Sequence, residues 1–370
     1  MFVATVFAVF FVIALAGVPL MYALLITTLG MIWAMGLSHS PETIFLTFIG
    51  GVEPYILIAV PLFIFAGELL SQGGVGKRIV EFARVLLGFL PGGLGVVTVA
   101  SCLMFGGVSG SAIADTAAIG SLVIPAMVQR GYPRGFAAAL LAVAGTLALL
   151  MPLSIPFLVY AFISGVSMRQ LSMSGVVPAI ICAFALIAVC VWYGRKTGCD
   201  SGDRRASAAE IWVATKDAGP ALMMPLIIVG GIWTGIFTPT ESAAVAVVYG
   251  LAVSLFLYHD LKWHDLPRLL LNAFQTSATV MLVIGATAAL AWLLTVEQVA
   301  VQLAAWVQSV AHAQWLFLLL VNISLLVLGI FIEPLPALLL TAPLFLPLAQ
   351  AFRIDLVHLG VIMTANLAIA

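Results

Sequence analysis

The sequence predicts an all-α polytopic membrane protein, and three observations carry that prediction. Of the 370 residues, 64% are hydrophobic and 8% are charged, where soluble globular chains carry about 25% charge. Apolar runs near the ~20 residues that one bilayer crossing needs recur along the whole chain, enough for roughly nine to eleven spans. The breaks within these runs are made of Gly, Ser and Pro rather than charged residues. Freed backbone of that kind is tolerated at membrane depth only where it is buried in protein or lines a cavity.

Composition also excludes several classes. A net charge of −1 with no basic cluster gives no case for nucleic acid. Met1-Phe2-Val3-Ala4-Thr5 lacks the basic region of a cleaved signal peptide and reads as the first span. Cys102, Cys182, Cys190 and Cys199 have no metal-ligand or CxxC spacing. His39, His259, His264, His312 and His358 are scattered, so no transition-metal set emerges.

In chain order, residues 2–37 are too long for one crossing and divide at Gly17-Val18-Pro19 into two short spans. Residues 38–54 read as a polar connection with His39, Glu42 and Glu53 but no Lys or Arg, hence external. A span over 55–71 ends at Glu68 and Gln72, and an amphipathic arm over 75–90 carries Lys77, Arg78, Glu81 and Arg84 on the cytoplasmic side. Residues 91–127 form a helical hairpin broken at Ser109-Gly110-Ser111, with basic residues at both ends. Residues 135–163 form a helix broken at Gly145-Thr146 and at Met151-Pro152-Leu153-Ser154-Ile155-Pro156. After a span at 173–193, the polar stretch 194–219 reads as a cytoplasmic connector.

The second half repeats this order. Pro19 is matched by Pro239, Gly107 by Gly329 and Pro125 by Pro347, at nearly constant offset. The reading is a first repeat over 1–193 and a second over 218–370, with an arm at 297–312, a hairpin at 314–351 and an incomplete broken helix at 356–370. Each copy holds an odd number of crossings, so the second lies inverted. The second arm has no Lys or Arg, unlike the first, as inversion requires. Paired re-entrant hairpins in inverted repeats point to a secondary transporter working by alternating access.

The hairpin tips are the candidate sites. Carbonyls freed at broken helices suit a hard cation, and half-helix N-termini suit a carboxylate. The first tip is Ser109-Gly110-Ser111, and the second runs from Gly329 to Pro334 with Glu333 as the intramembrane acid. Glu333 reads equally as a ligand or as the cap of the following helix. Asp115, beyond the first tip, is not placed among the direct ligands. Thr238-Pro239-Thr240-Glu241 reads as a helix start. No Ser/His or paired-Asp set at a shared depth suggests an enzyme.

Several motifs in fixed order carry a family resemblance: Phe105-Gly106-Gly107-Val108-Ser109-Gly110-Ser111, Ile124-Pro125, Gly145-Thr146 with Pro152-Leu153-Ser154-Ile155-Pro156, Phe237-Thr238-Pro239-Thr240-Glu241-Ser242-Ala243-Ala244, and Val357-His358-Leu359-Gly360 ahead of Asn366-Leu367-Ala368-Ile369. Together the motifs resemble the large membrane subunit, the DctM-like permease, of tripartite ATP-independent periplasmic (TRAP) transporters, over the whole of Met1 to Ala370. Two departures stand out. Pro152-Leu153 replaces the family's usual pair of prolines. The chain also ends at Ala370, inside the helix whose first-copy equivalent continues to Pro156, which implies a truncated C-terminus.

The resemblance implies a sodium-driven elevator importer of small organic anions, such as a C4-dicarboxylate, sialic acid or another carboxylate, in the bacterial inner membrane. Its implied partners are a small DctQ-like membrane subunit and a periplasmic DctP-like binding protein. One implied sodium site uses Ser109, Gly110 and Ser111 with Gly145, Thr146 and Pro152; the other uses Gly329, Glu333, Pro334, Thr364 and Asn366. Substrate would meet Ser109, Ser111 and Ser154. The alternative is a self-sufficient ion-coupled anion transporter of similar inverted-hairpin fold, needing no partner.

Overall fold

The computed structural model describes residues 2–34, 36, 40–200, 202–299, 302–303 and 313–370. Among these residues the regular structure is helical throughout, with no strand. Eight helical runs are long and apolar enough to cross a membrane, and six shorter apolar helices accompany them. The roughly nine to eleven spans expected thus resolve into eight full-length runs plus short helices among the described residues.

Helices α1 (Phe2–Leu15) and α2 (Leu20–Ala34) part at Gly17 and Pro19, where Gly17 takes a left-handed φ of +83°. Sequence reading takes 38–54 as a polar connection, and the structure corrects this to helix α3 (Pro41–Val52). Its start is fully specified: Ser40 accepts the Thr43 N–H at 3.4 Å, Pro41 occupies the first turn and Glu42 faces the helix N-terminus.

α4 (Ala59–Gln72) continues from a 3₁₀ turn at Tyr55–Ile58. α5 (Val75–Leu87) is amphipathic: Val75, Ile79 and Ala83 recur every four residues and are buried, while Lys77 and Glu81 are exposed. α6 (Gly93–Ser109) and α7 (Ala112–Gln129) form a helix pair, and α8 (Arg134–Gly145) runs through a 3₁₀ turn at Thr146–Leu150 to α9 (Ile155–Ser164).

α10 (Met168–Thr197) and α11 (Ala208–Thr234) cut the polar stretch 194–219 down to a short non-helical link, because Ser207 and Glu210 form a capping box that starts α11 early. α12 (Pro239–Ala252) starts at a second capping box, Thr238 with Glu241, and ends in a π turn at Val253–Leu257. α13 (Leu266–Val296), α14 (Gln314–Gly329), α15 (Pro334–Ala351) and α16 (Leu356–Ile369) complete the chain. The second arm expected at 297–312 lies outside the described residues except for 297–299 and 302–303, and His39 and His312 lie outside them as well.

Packing sorts these helices into two groups. In one, α13 packs against α2, α3 and α4, and α12 packs against α4 and α11. Close approach of α3 and α13 depends on paired glycines, since a Cβ on Gly51 would stand 2.4 Å from that of Ala288, and one on Gly285 would stand 3.0 Å from the Phe48 ring. In the other group, α6, α7 and α8 pack together, α15 lies on α9, and α16 lies against α10 and α14. α5 touches both groups, packing on α11 and on the α6–α7 pair, and the groups also meet directly where α4 packs on α6 and α7 and α13 on α15.

One side of the molecule gathers the charges. Arg130 donates to Asp200 and Asp203, each at 2.8 Å, and Arg84 reaches Asp203 at 3.1 Å. The second oxygen of Asp200 accepts the Leu94 N–H at 2.6 Å, and the Asp200 carbonyl accepts the Gly92 N–H at 2.9 Å. The link between α10 and α11 is thereby tied to both ends of the α6–α7 pair. Nearby in sequence to that clamp, Arg78 on α5 pairs with Asp260 at 2.5 Å and lies over the Tyr258 ring, 3.6 Å from its centroid. Burial raises the Asp203 carboxyl, but hydrogen bonds from Arg84 and Arg130 outweigh it, leaving Asp203 below its ordinary carboxylate value.

Candidate functional site

The break between α6 and α7 follows directly from Ser109-Gly110-Ser111. Gly110 ends α6 with a left-handed φ of +59°, a conformation that glycine adopts without steric cost. A Cβ there would stand 2.4 Å from the Leu153 carbonyl oxygen. Ser111, in extended conformation, caps α7 by accepting the Ala114 N–H at 3.4 Å. Ser109 accepts the Ser111 N–H at 3.2 Å and donates its own hydroxyl to Asp115. Asp115 is fully buried, and its other carboxylate oxygen has no hydrogen-bond partner.

The break between α8 and α9 packs behind this tip. Gly145 lies so close to α7 that a Cβ would stand 2.2 Å from the Thr116 hydroxyl. Met151 turns extended, Pro152 is buried, and Ser154 caps α9 by accepting the Phe157 N–H at 3.3 Å. Two prolines in this segment prevent the helix from closing over the gap.

The second tip lies between α14 and α15. Glu333 occupies the N-cap position of α15, but its side chain makes no capping hydrogen bond. Its position still sets the negative charge at the helix N-terminus, the structural role that sequence reading kept open beside ion binding. Pro334 and Pro336 have no N–H, which leaves Leu335 the sole orphan donor in that first turn. On α16, Thr364 is buried with no partner for its hydroxyl. Asn366 donates to the Ile362 carbonyl at 2.8 Å and to the amide oxygen of Asn322 on α14.

Both tips face one cavity of 710 Å³. Of the residues singled out in sequence, Ser109, Gly110, Ser111, Thr146, Gly329, Glu333 and Pro334 line it. Gly145, Pro152, Ser154, Thr364 and Asn366 do not, and sit in the layer behind. The rest of the wall includes residues that sequence reading did not assign to the site: Glu68, Ser71 and Gln72 on α4, where Gly67 lies against Ser109, with Thr276 on α13. Glu68 carried a usable signal, as an acid within an apolar span. Asp115 was placed past the tip, and its bond to Ser109 required the fold.

A cavity of this size holds a small organic molecule. It offers hydroxyls, a half-helix N-terminus and two carboxylates, and brings together chain segments more than 200 residues apart.

The family model for the tripartite ATP-independent periplasmic transporter, DctM component, matches residues 7–370. The chain is 36% identical to the C4-dicarboxylate TRAP transporter large permease protein DctM of Rhodobacter capsulatus, over 98% of this chain and 86% of that protein. It is 39% identical to the protein of the same name from Pseudomonas aeruginosa, over 86% of this chain and 74% of that one. It is also 36% identical to the isethionate TRAP transporter permease protein DctMQ of Oleidesulfovibrio alaskensis, over 98% of this chain and 56% of that longer protein.

Proposed function

Because this chain belongs to the DctM family of TRAP transporter large permeases, we propose that it is the membrane-spanning subunit of a sodium-coupled importer of small organic anions. The observation that carries this reading is the single cavity lined by both helix breaks. In a membrane protein that is where a substrate and its coupling ions find satisfied partners.

Sodium is a hard cation that prefers oxygen ligands. The first tip offers the Ser109 and Ser111 hydroxyls, with the unpartnered oxygen of buried Asp115 beneath them. The second offers Glu333 and, behind it, the unpartnered Thr364 hydroxyl. Oxygens left without partners inside apolar protein cost about 1–3 kcal/mol each, a cost that a cation bound at Asp115 or Thr364 would relieve. When bound, sodium supplies the positive charge that an anion needs in this cavity. The chain's own part is to hold the hydroxyls and freed carbonyls in place, and to expose the first-turn N–H groups of α7.

Alternating access would move the α6–α9 and α14–α16 group past the α2–α4 and α11–α13 group. α5, which touches both, would act as the connecting arm. The two-group packing and the near-constant spacing of the breaks support inverted repeats with this elevator motion. The charged side would face the cytoplasm by the positive-inside rule, in the bacterial inner membrane. The partners would be a small DctQ-like membrane subunit and a periplasmic DctP-like binding protein. The name DctMQ borne by one relative supports the first of these.

Reconstitution of the chain with and without these partners tests the assignment. Uptake of a carboxylate only with both partners present is the expected result. Uptake by the chain alone would favour a self-sufficient anion transporter.

A further inference from the structure

Inside each of the two helix groups the close contacts interlock. A Cβ on Gly73, where α4 gives way to α5, would stand 2.7 Å from that of Ser254 in the π turn that ends α12. One on Gly106 of α6 would stand 2.7 Å from the Cα of Ala148 behind the first tip. Neither could be added without displacing a neighbour, so these surfaces are keyed together. Arg78, paired with Asp260 at 2.5 Å, ties the start of α5 into the same group as α4 and α12.

Across the boundary between the groups the fit is different. A Cβ on Gly67 of α4 would stand 3.8 Å from the Cα, Cβ and carbonyl oxygen of Ser109. One on Gly107 of α6 would stand 3.7 Å from the Pro225 Cβ on α11, with the flexible end of Met151 from its own group at 3.2 Å. One on Gly76 of α5 would stand 3.8 Å from the Ile119 and Phe105 side chains of the α6–α7 pair. Carbon atoms in ordinary contact lie about 3.5–4.0 Å apart, so across the boundary each position has room for one methyl group and no more. Glycines that serve only to let helices pack draw the backbones together until that room is gone. Here the room is kept, and the boundary forgoes the dispersion attraction that three methyl groups would supply.

We infer that Gly67, Gly76 and Gly107 are positioning residues for transport: they keep this boundary smooth and loosely held, so that the α6–α7 pair can pass α4, α11 and the start of α5. This rests on the importer reading with its elevator motion, and locates the sliding surface within it. The consequence is a signature that plain packing does not give. Filling the three gaps with methyl groups should hold the groups in the position seen here, so that stability is kept or raised while transport slows.

The test uses the chain with its small membrane subunit and binding protein in proteoliposomes under an inward sodium gradient, with succinate, isethionate and sialic acid as uptake probes. The triple variant Gly67→Ala, Gly76→Ala, Gly107→Ala should unfold at a temperature no lower than the parent and take up the probe several-fold more slowly. Gly106→Ala, inside one group, should lower the unfolding temperature. Gly135→Ala, in open space on α8, controls for the helix propensity of alanine and should leave uptake unchanged. Two engineered disulfides, with the four native cysteines replaced by alanine, then locate the boundary. Cβ separations of 3.7 Å for Gly107→Cys with Pro225→Cys and 3.9 Å for Gly250→Cys with Leu69→Cys both suit a disulfide. Oxidation of the first pair, which joins the two groups, should stop uptake until reductant is added. Oxidation of the second, which joins α12 to α4 inside one group, should leave uptake running. Parental uptake or a lowered unfolding temperature in the triple variant overturns the inference and leaves the importer reading standing. So does failure of the α6–α11 pair to cross-link, uptake that survives that cross-link, or uptake lost on cross-linking α4 to α12. Absence of sodium-driven uptake of all three probes by the parent complex overturns the importer reading, and this inference with it.

Discussion

Ser109 donates its hydroxyl to Asp115 across the break between α6 and α7, and the same hydroxyl accepts the Ser111 N–H. One side chain therefore joins the end of the first half-helix to the first turn of the second. Replacing Asp115 with Ala leaves the buried Ser109 hydroxyl without its acceptor, at a cost of about 1–3 kcal/mol. Asp115→Ala should lower the unfolding temperature and remove stabilisation by sodium, and Ser109→Ala should weaken the sodium response with at least as large a loss of stability, because it leaves the buried Asp115 carboxylate without its Ser109 donor. A thermal-unfolding series in rising sodium chloride, with potassium as control, measures both. An unchanged sodium response in both variants would contradict the tip assignment.

Gly110 is the position with the least tolerance. Its φ of +59° and the 2.4 Å that would separate a Cβ from the Leu153 carbonyl act together. Backbone strain alone costs about 1–3 kcal/mol for a non-glycine residue. Gly110→Leu should insert in the membrane yet lose transport, as judged by expression level against uptake. Gly135, with open space around it, is the control, and Gly135→Ala should be near neutral.

Thr364 separates stability from coupling. Its hydroxyl is buried and unpartnered, so the near-isosteric Thr364→Val removes a desolvated polar atom and should leave stability equal or slightly raised. If Thr364 holds a coupling ion, the same variant loses sodium dependence of uptake. Unchanged sodium dependence at unchanged stability would exclude it from the ion site.

The clamp between Arg130, Asp200 and Asp203 should be sensitive to acid in a defined direction. Asp200 is buried, so Arg130→Ala strands its charge and should cost about 3 kcal/mol. Asp203 is held below its ordinary value of 3.8, so its contribution is fully present above that value and is lost as the pH falls through the depressed one. The gap in stability between the parent chain and Arg130→Ala should therefore be widest near neutral pH and shrink below pH 3.8. Chemical denaturation at neutral and acid pH checks the sign.

Much of this arrangement was legible in the sequence, and for a physical reason. Gly, Ser and Pro at membrane depth must have a purpose, so Ser109–Ser111, Pro152–Pro156 and the second tip could be located without coordinates. Thr238 and Glu241 were equally readable, because a capping box is a local motif. α3 was not, although its cap at Ser40 was visible. Its helix is held by α13, where Gly51 meets Ala288, and polar residues at 38–54 suggested a loop. Glu68 looked like the end of a span because its role depends on which face of α4 turns to the cavity. Ser154 looked like a ligand because hydroxyls near breaks often are; in the fold its oxygen accepts the Phe157 N–H and the residue is not part of the cavity lining.

The most direct test of the central claim is uptake by proteoliposomes holding the chain with its small membrane subunit and periplasmic binding protein, with an inward sodium gradient imposed or replaced by potassium. The account predicts accumulation of a carboxylate-bearing substrate only under the sodium gradient, and its loss in Glu333→Gln. Equal uptake with potassium in place of sodium would contradict the assignment of the cavity as a sodium-coupled transport site.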